Sequence, residues 1–270
     1  MGHIGNVSHP DVQPIIDGPL TTTILGPLQS RGMEPRSADH WEGEAHRWAA
    51  WARAPRHDAY WYYRDAFFAL VPPAGRATLE VGFGEGRVSG DLVARGHRVT
   101  GVDVSPTLAR LAAEADRTAH YLLADGAALP FGAGAFDLVV AYNSLMDVDD
   151  MPAVCAEIGR VLDPRGRVCA CVQHPAWDAG KFVGSGPEAT FVLGPTYFGP
   201  RRSRGTFERN GLSITFEGWC FSIDDYARAL EAAGFVIEML REPRPSPTAP
   251  PTTRGHRLPI FLMLRLARRA

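Results

Sequence analysis

The chain has 270 residues, 45% hydrophobic and 10% aromatic, enough to bury an ordinary core, which excludes global disorder. Its formal net charge of -2 offers no whole-molecule field for nucleic acid or an anionic membrane. The four cysteines, Cys155, Cys169, Cys171 and Cys220, have neither a disulfide-framework spacing nor a zinc spacing. No metal is therefore expected, and the expected compartment is reducing and cytoplasmic. No stretch approaches the ~20 apolar residues of a membrane span. The opening MGHIGNVSHP lacks the basic-then-apolar order of a secretory signal.

Residues 1–38 read as an N-terminal arm with TTTIL as its strand-like run, flexible or held by a partner, and a homo-oligomer through this arm is one expectation. Residues 39–73 read as a helical cap. Trp41, Ala45, Trp48, Ala49 and Ala52 recur at helical spacing, Pro55 interrupts, and AYWYYRDAFFAL forms a second helix before Pro72 and Pro73.

From residue 74 strands and helices alternate. ATLEVG is a strand and Val88 to Arg95 a helix that Gly96 ends. HRVTGVDV is the next strand, and Ser105 and Pro106 supply an N-cap and first-turn proline for a helix with a Leu108, Leu111, Ala112, Ala115 stripe. HYLLA and FDLVVA follow, then a helix from about Asp149 to Leu162 and the strand GRVCACVQ, in which Cys169 and Cys171 share a face. Residues 175–218 break the rhythm and read as a long loop-rich insertion with a hairpin signal at Asn210-Gly211. A helix over Asp224 to Ala233 and the strands FVIEML and LPIFLMLRLA close the chain. Such alternation predicts a parallel sheet covered on both faces.

LEVGFGEGR, residues 79–87, carries the chemistry. Glu80 ends an apolar run, and Gly82, Gly84 and Gly86 follow on alternate positions, so backbone N–H groups can approach a ligand without side-chain obstruction. The dinucleotide fingerprint GxGxxG would need glycine where Arg87 stands, and no Tyr/Lys oxidoreductase pair is evident. Asp103 ends the second strand and Asp125 the third, before Gly126, so that acids sit at successive strand ends. In an open α/β sheet these ends face one crevice.

GxGxG after an acid resembles motif I of the class I S-adenosylmethionine-dependent methyltransferases. The stretch ADGAALPFGAGAFDLVV followed by EIGRVLDPRGRV is similar to the small-molecule branch that includes ubiquinone and menaquinone methyltransferases. The resemblance implies a Rossmann-like, doubly wound α/β fold: a seven-stranded sheet, mostly parallel with an antiparallel last strand, carrying the N-terminal helical cap over a methyltransferase domain at 74–270. It implies S-adenosyl-L-methionine as cofactor and S-adenosyl-L-homocysteine as product. The implied cofactor residues are Glu80, Gly82, Phe83, Gly84, Gly86, Asp103, Val104 and Leu108, with Asp125 and Gly126 at the adenine and Tyr142 and Asn143 on the far side. Arg87 departs from the small residue many relatives carry.

Methyl transfer is an in-line displacement that needs a base only when the acceptor holds a proton of high pKa. His174, in VQHP, is the expected catalytic base. Asp147, in the acidic run DVDD, is the alternative, although such a run also suits a helix N-terminus. Tyr60, Trp61, Tyr63, Trp177, Tyr197 and Trp219 are the expected substrate residues, suited to a small, largely apolar acceptor. AYNS after the fourth strand lacks the D/N-P-P-Y/F signature of base methylation, so no nucleic-acid partner is expected and RRSR (201–204) reads as solvated charge. Secondary metabolism is the expected setting. Competing readings are a cyclase or rearrangement enzyme that keeps the cofactor unspent, and a non-catalytic cofactor-binding module.

Overall fold

The computed structural model describes residues 23–24, 36–184, 186 and 188–269. Most of the expected arm, with its expected role in self-association, lies outside them. The short strand β1 (Thr23–Ile24) belongs to TTTIL.

Two helices come first, α1 (Ser37–Arg53) and α2 (Tyr60–Phe68). Then come β2 (Thr78–Val81), α3 (Arg87–Val93), β3 (Val99–Asp103), α4 (Pro106–Ala115) and β4 (His120–Leu123). The alternation continues through β5 (Phe136–Tyr142), α5 (Met151–Val161) and β6 (Leu162–Gln173). After the short α6 (Pro175–Asp178) the chain forms β7 (Gly180–Val183), β8 (Thr190–Leu193), β9 (Arg201–Arg209) and β10 (Leu212–Cys220). It ends with α7 (Ile223–Ala232), β11 (Phe235–Arg241) and β12 (Phe261–Arg268).

The main sheet has seven strands in the order β11-β12-β6-β5-β2-β3-β4. β2 through β6 pair in parallel, while β12 runs antiparallel to both neighbours. This is the doubly wound sheet with a reversed last strand that the sequence led us to expect. Its central strands are apolar on both faces, as a sheet covered twice requires. Val139, Ala170 and Leu264 pack with Val154 and Ile158 of α5 and Leu230 of α7. Val140, Cys169, Cys171 and Met263 pack on the other face with Phe67 of α2 and Leu92 of α3. Each large aliphatic side chain buried in such a layer contributes roughly 1.5–3 kcal/mol. The four cysteines are free and buried; burial pushes the Cys155, Cys169 and Cys220 thiols up to about 12 and that of Cys171 well above its ordinary value.

The insertion corrects one expectation. It is largely strand rather than loop: β7 pairs with β8, and β1, β9 and β10 form a three-stranded antiparallel sheet. The turn at Asn210 (φ 50°) and Gly211 (φ 75°) has both central residues left-handed, the arrangement a two-residue hairpin selects Asn-Gly for. RRSR is correspondingly not solvated loop charge. It opens β9, where Arg202 and Arg204 each reach Glu217 at 3.0 Å.

Three acids after β5 illustrate how a charge run divides its work. Asp150 caps α5 by accepting the Ala153 N–H at 2.9 Å. Asp149 accepts from the Ser37 N–H and hydroxyl and so anchors the start of α1. Asp147 turns into the crevice. At its other side α1 is tied by Glu42, which accepts from the Thr107 N–H and hydroxyl at the head of α4. Helix α1 thus spans the strand ends from β5 to β3.

Candidate active site

The carboxyl ends of β2, β3 and β5 open into a cavity of about 360 Å³. Its floor is the glycine loop. Gly82 (φ 76°) and Gly84 (φ 58°) are left-handed. A Cβ on Gly82 would lie 2.5 Å from the Ser144 Cβ, and one on Gly84 would lie 2.8 Å from the Trp48 indole nitrogen. Conformation and space therefore both demand glycine at these two positions. Gly86 (φ 90°) turns the chain into α3 and stands just outside the lining.

Asp103 is buried at the end of β3. Its carboxylate accepts the Gly84 N–H at 2.9 Å and the Ser105 N–H at 3.0 Å. Burial pushes its pKa up while these backbone donors pull it down, with a net rise. Val104, Leu108, Ala124 and Gly126 continue the same wall. Glu80 is fully buried beneath the loop; burial pushes it up to about 8, against a hydrogen bond from the Ser89 hydroxyl. Tyr142 and Asn143 close the far side, and the Tyr142 hydroxyl and Asn143 Oδ1 are buried without a partner among the described residues. A loop that only glycine can form, facing orphaned polar atoms and a carboxylate at a strand end, is chemically suited to a polar nucleoside ligand.

Asp125 departs from its expected place. It is 51% exposed in its side chain, accepts the Ala127 N–H in a local turn at 2.9 Å, and lies outside the cavity lining. Its neighbours Ala124 and Gly126 do line the cavity, so main chain, not carboxylate, faces inward at this strand end.

Arg87 explains its own departure from the usual small residue. Its guanidinium meets Asp58 at 2.7 Å and lies over the rings of Trp48 (5.0 Å) and Tyr60 (4.3 Å). Burial would lower its pKa, but Asp58 and Glu85 outweigh burial and hold it above the ordinary value. It therefore bolts both cap helices to the glycine loop.

The roof is aromatic. Trp41, Trp48 and Trp51 of α1 meet Phe216 of β10 edge-on at 6.0–6.5 Å, and Phe207 of β9 meets Phe216 at 5.4 Å. Along β9, Ser203, Gly205 and Phe207 line the cavity with the two-residue period of a strand, Glu208 and Arg209 join them at its end, and Gly205 pairs opposite Phe216. Sequence reading missed these residues. The alternation in β9 was the available signal; the α1 tryptophans are indistinguishable by spacing from ordinary core.

Of the expected substrate residues, Tyr60, Trp177 and Trp219 line the cavity. Three do not. Trp61 lies under the Arg64 guanidinium at 5.3 Å, Tyr63 is core against Phe261, and the Tyr197 hydroxyl accepts the Ile223 N–H at 3.1 Å. His174 is also outside the lining. Its Nδ1 accepts the Ala176 N–H at 3.0 Å as the cap of α6, and its Nε2 meets Glu242 at 2.7 Å. With both ring nitrogens engaged in a buried position, it has no free lone pair to serve as base. The groups at that end of the cavity are Asp147 and Asp178. Burial pushes Asp147 well above its ordinary value, helped by Asp178 and Asp103; burial pushes Asp178 up to about 7, against a hydrogen bond from the Gln173 amide and the charge of Arg201.

Residues 79–170, the glycine loop through β6, match the family described as "Methyltransferase domain". The chain carries a methyltransferase domain. It is 29% identical over 188 residues to a demethylmenaquinone methyltransferase of Tropheryma whipplei, covering 66% of this chain and 73% of that protein. It is 39% identical over 105 residues to the nocamycin O-methyltransferase of Saccharothrix syringae, covering 36% and 38%. A solved S-adenosylmethionine dependent methyltransferase from Mesorhizobium loti superposes with a TM-score of 0.62 at 22% identity, over 78% of this chain and 98% of that one, a likeness of fold. The methyltransferase stretch begins with the strand that leads into the glycine floor.

Proposed function

We propose that this methyltransferase acts on a small, largely apolar or aromatic organic molecule of secondary metabolism, at an oxygen, nitrogen or carbon atom. The observation that carries this reading is the roof. Helix α1 and the β9–β10 hairpin cover the strand ends with Trp41, Trp48, Trp51, Phe207 and Phe216, leaving a cavity of about 360 Å³. That space suits a compact apolar molecule and not a polynucleotide, which needs an open groove. The similarity to the nocamycin enzyme agrees with this reading. Among the described residues no helix is long and apolar enough to cross a membrane.

When bound, S-adenosylmethionine supplies a methyl already activated on a sulfonium, so the chain's task is alignment. Gly82 and Gly84 would hold the methionine and ribose portions, Asp103 would accept from the ribose hydroxyls, and the Gly126 N–H would donate to the adenine. Trp177 and Trp219 would flank the acceptor at the opposite end.

The test is incubation of the protein with methyl-labelled S-adenosylmethionine and a metabolite extract. Label in one organic-soluble compound of low mass, with S-adenosylhomocysteine released in equal amount, is the expected result. Label confined to nucleic acid or protein, or consumption without transfer, would contradict it.

A further inference from the structure

The amino-acid end of S-adenosylmethionine is a zwitterion, and a cavity that takes it out of water must offer that end both a donor and an acceptor. The cavity offers both, on different elements. The donor belongs to the cap. Trp48 of α1 lines the cavity, and its indole nitrogen stands so close over the glycine loop that a Cβ on Gly84 would lie 2.8 Å from it. The indole N–H makes no hydrogen bond among the described residues. Its ring is held by Trp41 and Phe216, each edge-on at 6.0 Å, and by the Arg87 guanidinium at 5.0 Å. Asp58 and Glu85 pair with Arg87 at 2.7 and 3.6 Å and offset its charge. This wall therefore presents a ligand with a directed N–H, not with a free cation.

The acceptor belongs to the sheet. Asn143 follows β5 with φ 52°, and its N–H donates to the Cys171 carbonyl at 2.8 Å. Consecutive side chains of an extended strand point to opposite faces. The left-handed residue after the strand end breaks that alternation, so Tyr142 and Asn143 line the same cavity. Left-handed backbone is uncommon outside glycine and gathers at ligand sites. The Asn143 Oδ1 is buried and accepts from nothing among the described residues. A buried amide oxygen left bare is unfavourable until a donor reaches it.

We propose that Trp48 and Asn143 clamp the amino-acid end of the cofactor: the Trp48 indole N–H donates to its carboxylate, and Asn143 Oδ1 accepts from its ammonium. The proposal rests on S-adenosylmethionine as the cofactor and goes beyond it by naming the side chains that read the end distant from the adenine. The clamp can be filled in one sense only. An indole N–H has no lone pair to give an ammonium, and an amide oxygen has no proton to give a carboxylate. Because Trp48 also packs on Phe216 of the roof, the residue that reads the carboxylate is part of the chamber over the acceptor.

The test is calorimetric titration of a ligand series into the full chain. The series is S-adenosylhomocysteine, its decarboxylated analogue (a 3-aminopropyl thioether), its deaminated analogue (a 3-carboxypropyl thioether) and 5′-methylthioadenosine, which lacks both groups. The wild type is expected to lose at least about 10-fold in affinity when either group is removed. Trp48→Phe keeps an aromatic ring and removes the N–H. It is expected to bind S-adenosylhomocysteine and the decarboxylated analogue about equally while still penalising loss of the amine. Asn143→Gly keeps the left-handed backbone and removes the oxygen, and the converse pattern is expected. Affinity for 5′-methylthioadenosine should stay within about 2-fold in all three proteins, which a merely structural role for either residue would not allow. Ligand-induced shifts of melting temperature give the same ratios where a variant is marginally stable. Variants that weaken every ligand by one factor, or a wild type that binds 5′-methylthioadenosine as tightly as S-adenosylhomocysteine, would overturn the clamp and leave the cofactor assignment standing. If no ligand of the series binds the wild type, the cofactor assignment itself fails, and the clamp falls with it.

Discussion

The two walls of the cavity are built in different ways. The floor comes from residues close in sequence, where each strand runs straight into the loop that serves it, and Gly84 to Asp103 is its long contact. The roof is assembled from distant pieces. Glu44 of α1 accepts the Thr215 N–H of β10 across 171 residues, and Arg209 of β9 donates to the His57 carbonyl across 152. The floor's geometry follows from the fold's topology, because all strand ends of a parallel sheet face one way. The roof's geometry follows from side-chain bolts, and Arg87 joins roof to the glycine loop of the floor.

The strongest way to break that join is Arg87→Met. It leaves Asp58 without its partner in a largely buried position, a loss on the order of 3–5 kcal/mol. Thermal unfolding should fall steeply, and the double variant with Asp58→Asn should recover part of the loss. A small change in melting temperature would mean the cap is held by its other contacts alone.

Gly82→Ala attacks the floor instead. The left-handed backbone costs about 1–3 kcal/mol for a residue with a Cβ, and the overlap with Ser144 adds to it. Cofactor affinity measured by calorimetry should drop more than stability does. The reverse order would mean the loop is structural and not a binding surface.

A pH titration sharpens the contrast. Glu80, fully buried in the floor, is raised from an ordinary value of 4.5 to about 8. The folded state therefore favours the bound proton. That stability is complete below about 4.5 and is lost as pH rises through about 8. Wild-type melting temperature should decline across that window, and Glu80→Gln should flatten the decline. An identical slope in both proteins would assign the effect elsewhere.

The smallest effect is expected from His174→Ala. Loss of the α6 cap costs about 1 kcal/mol, and cofactor affinity and turnover per folded molecule should hold. A collapse of turnover at unchanged stability would restore the histidine to the chemistry.

The floor was legible in the sequence because its rules are local. Alternate glycines, the Asp at the end of β3 and the apolar strands each announce themselves within a few residues. Asp125 shows the limit, since sequence placed the strand end correctly but could not say whether side chain or main chain faced inward. The roof was largely hidden. Trp48 has the spacing of a core residue, and only its place above Gly84 makes it a lid. Likewise, nothing near His174 in the chain reveals that Glu242, 68 residues later, occupies its second nitrogen. The hairpin turn at Asn210-Gly211 was visible, yet the destination of its strands was not.

The central claim is that S-adenosylmethionine sits on the floor in reach of the Asp103 carboxylate. Calorimetric titration of S-adenosylhomocysteine into wild type and Asp103→Ala, with melting temperature recorded on both, tests it most directly. The account expects one site in the wild type and an affinity lower by at least about 10-fold in the folded variant, as loss of a hydrogen bond to a charged acceptor implies. Equal affinity in the two proteins would contradict it.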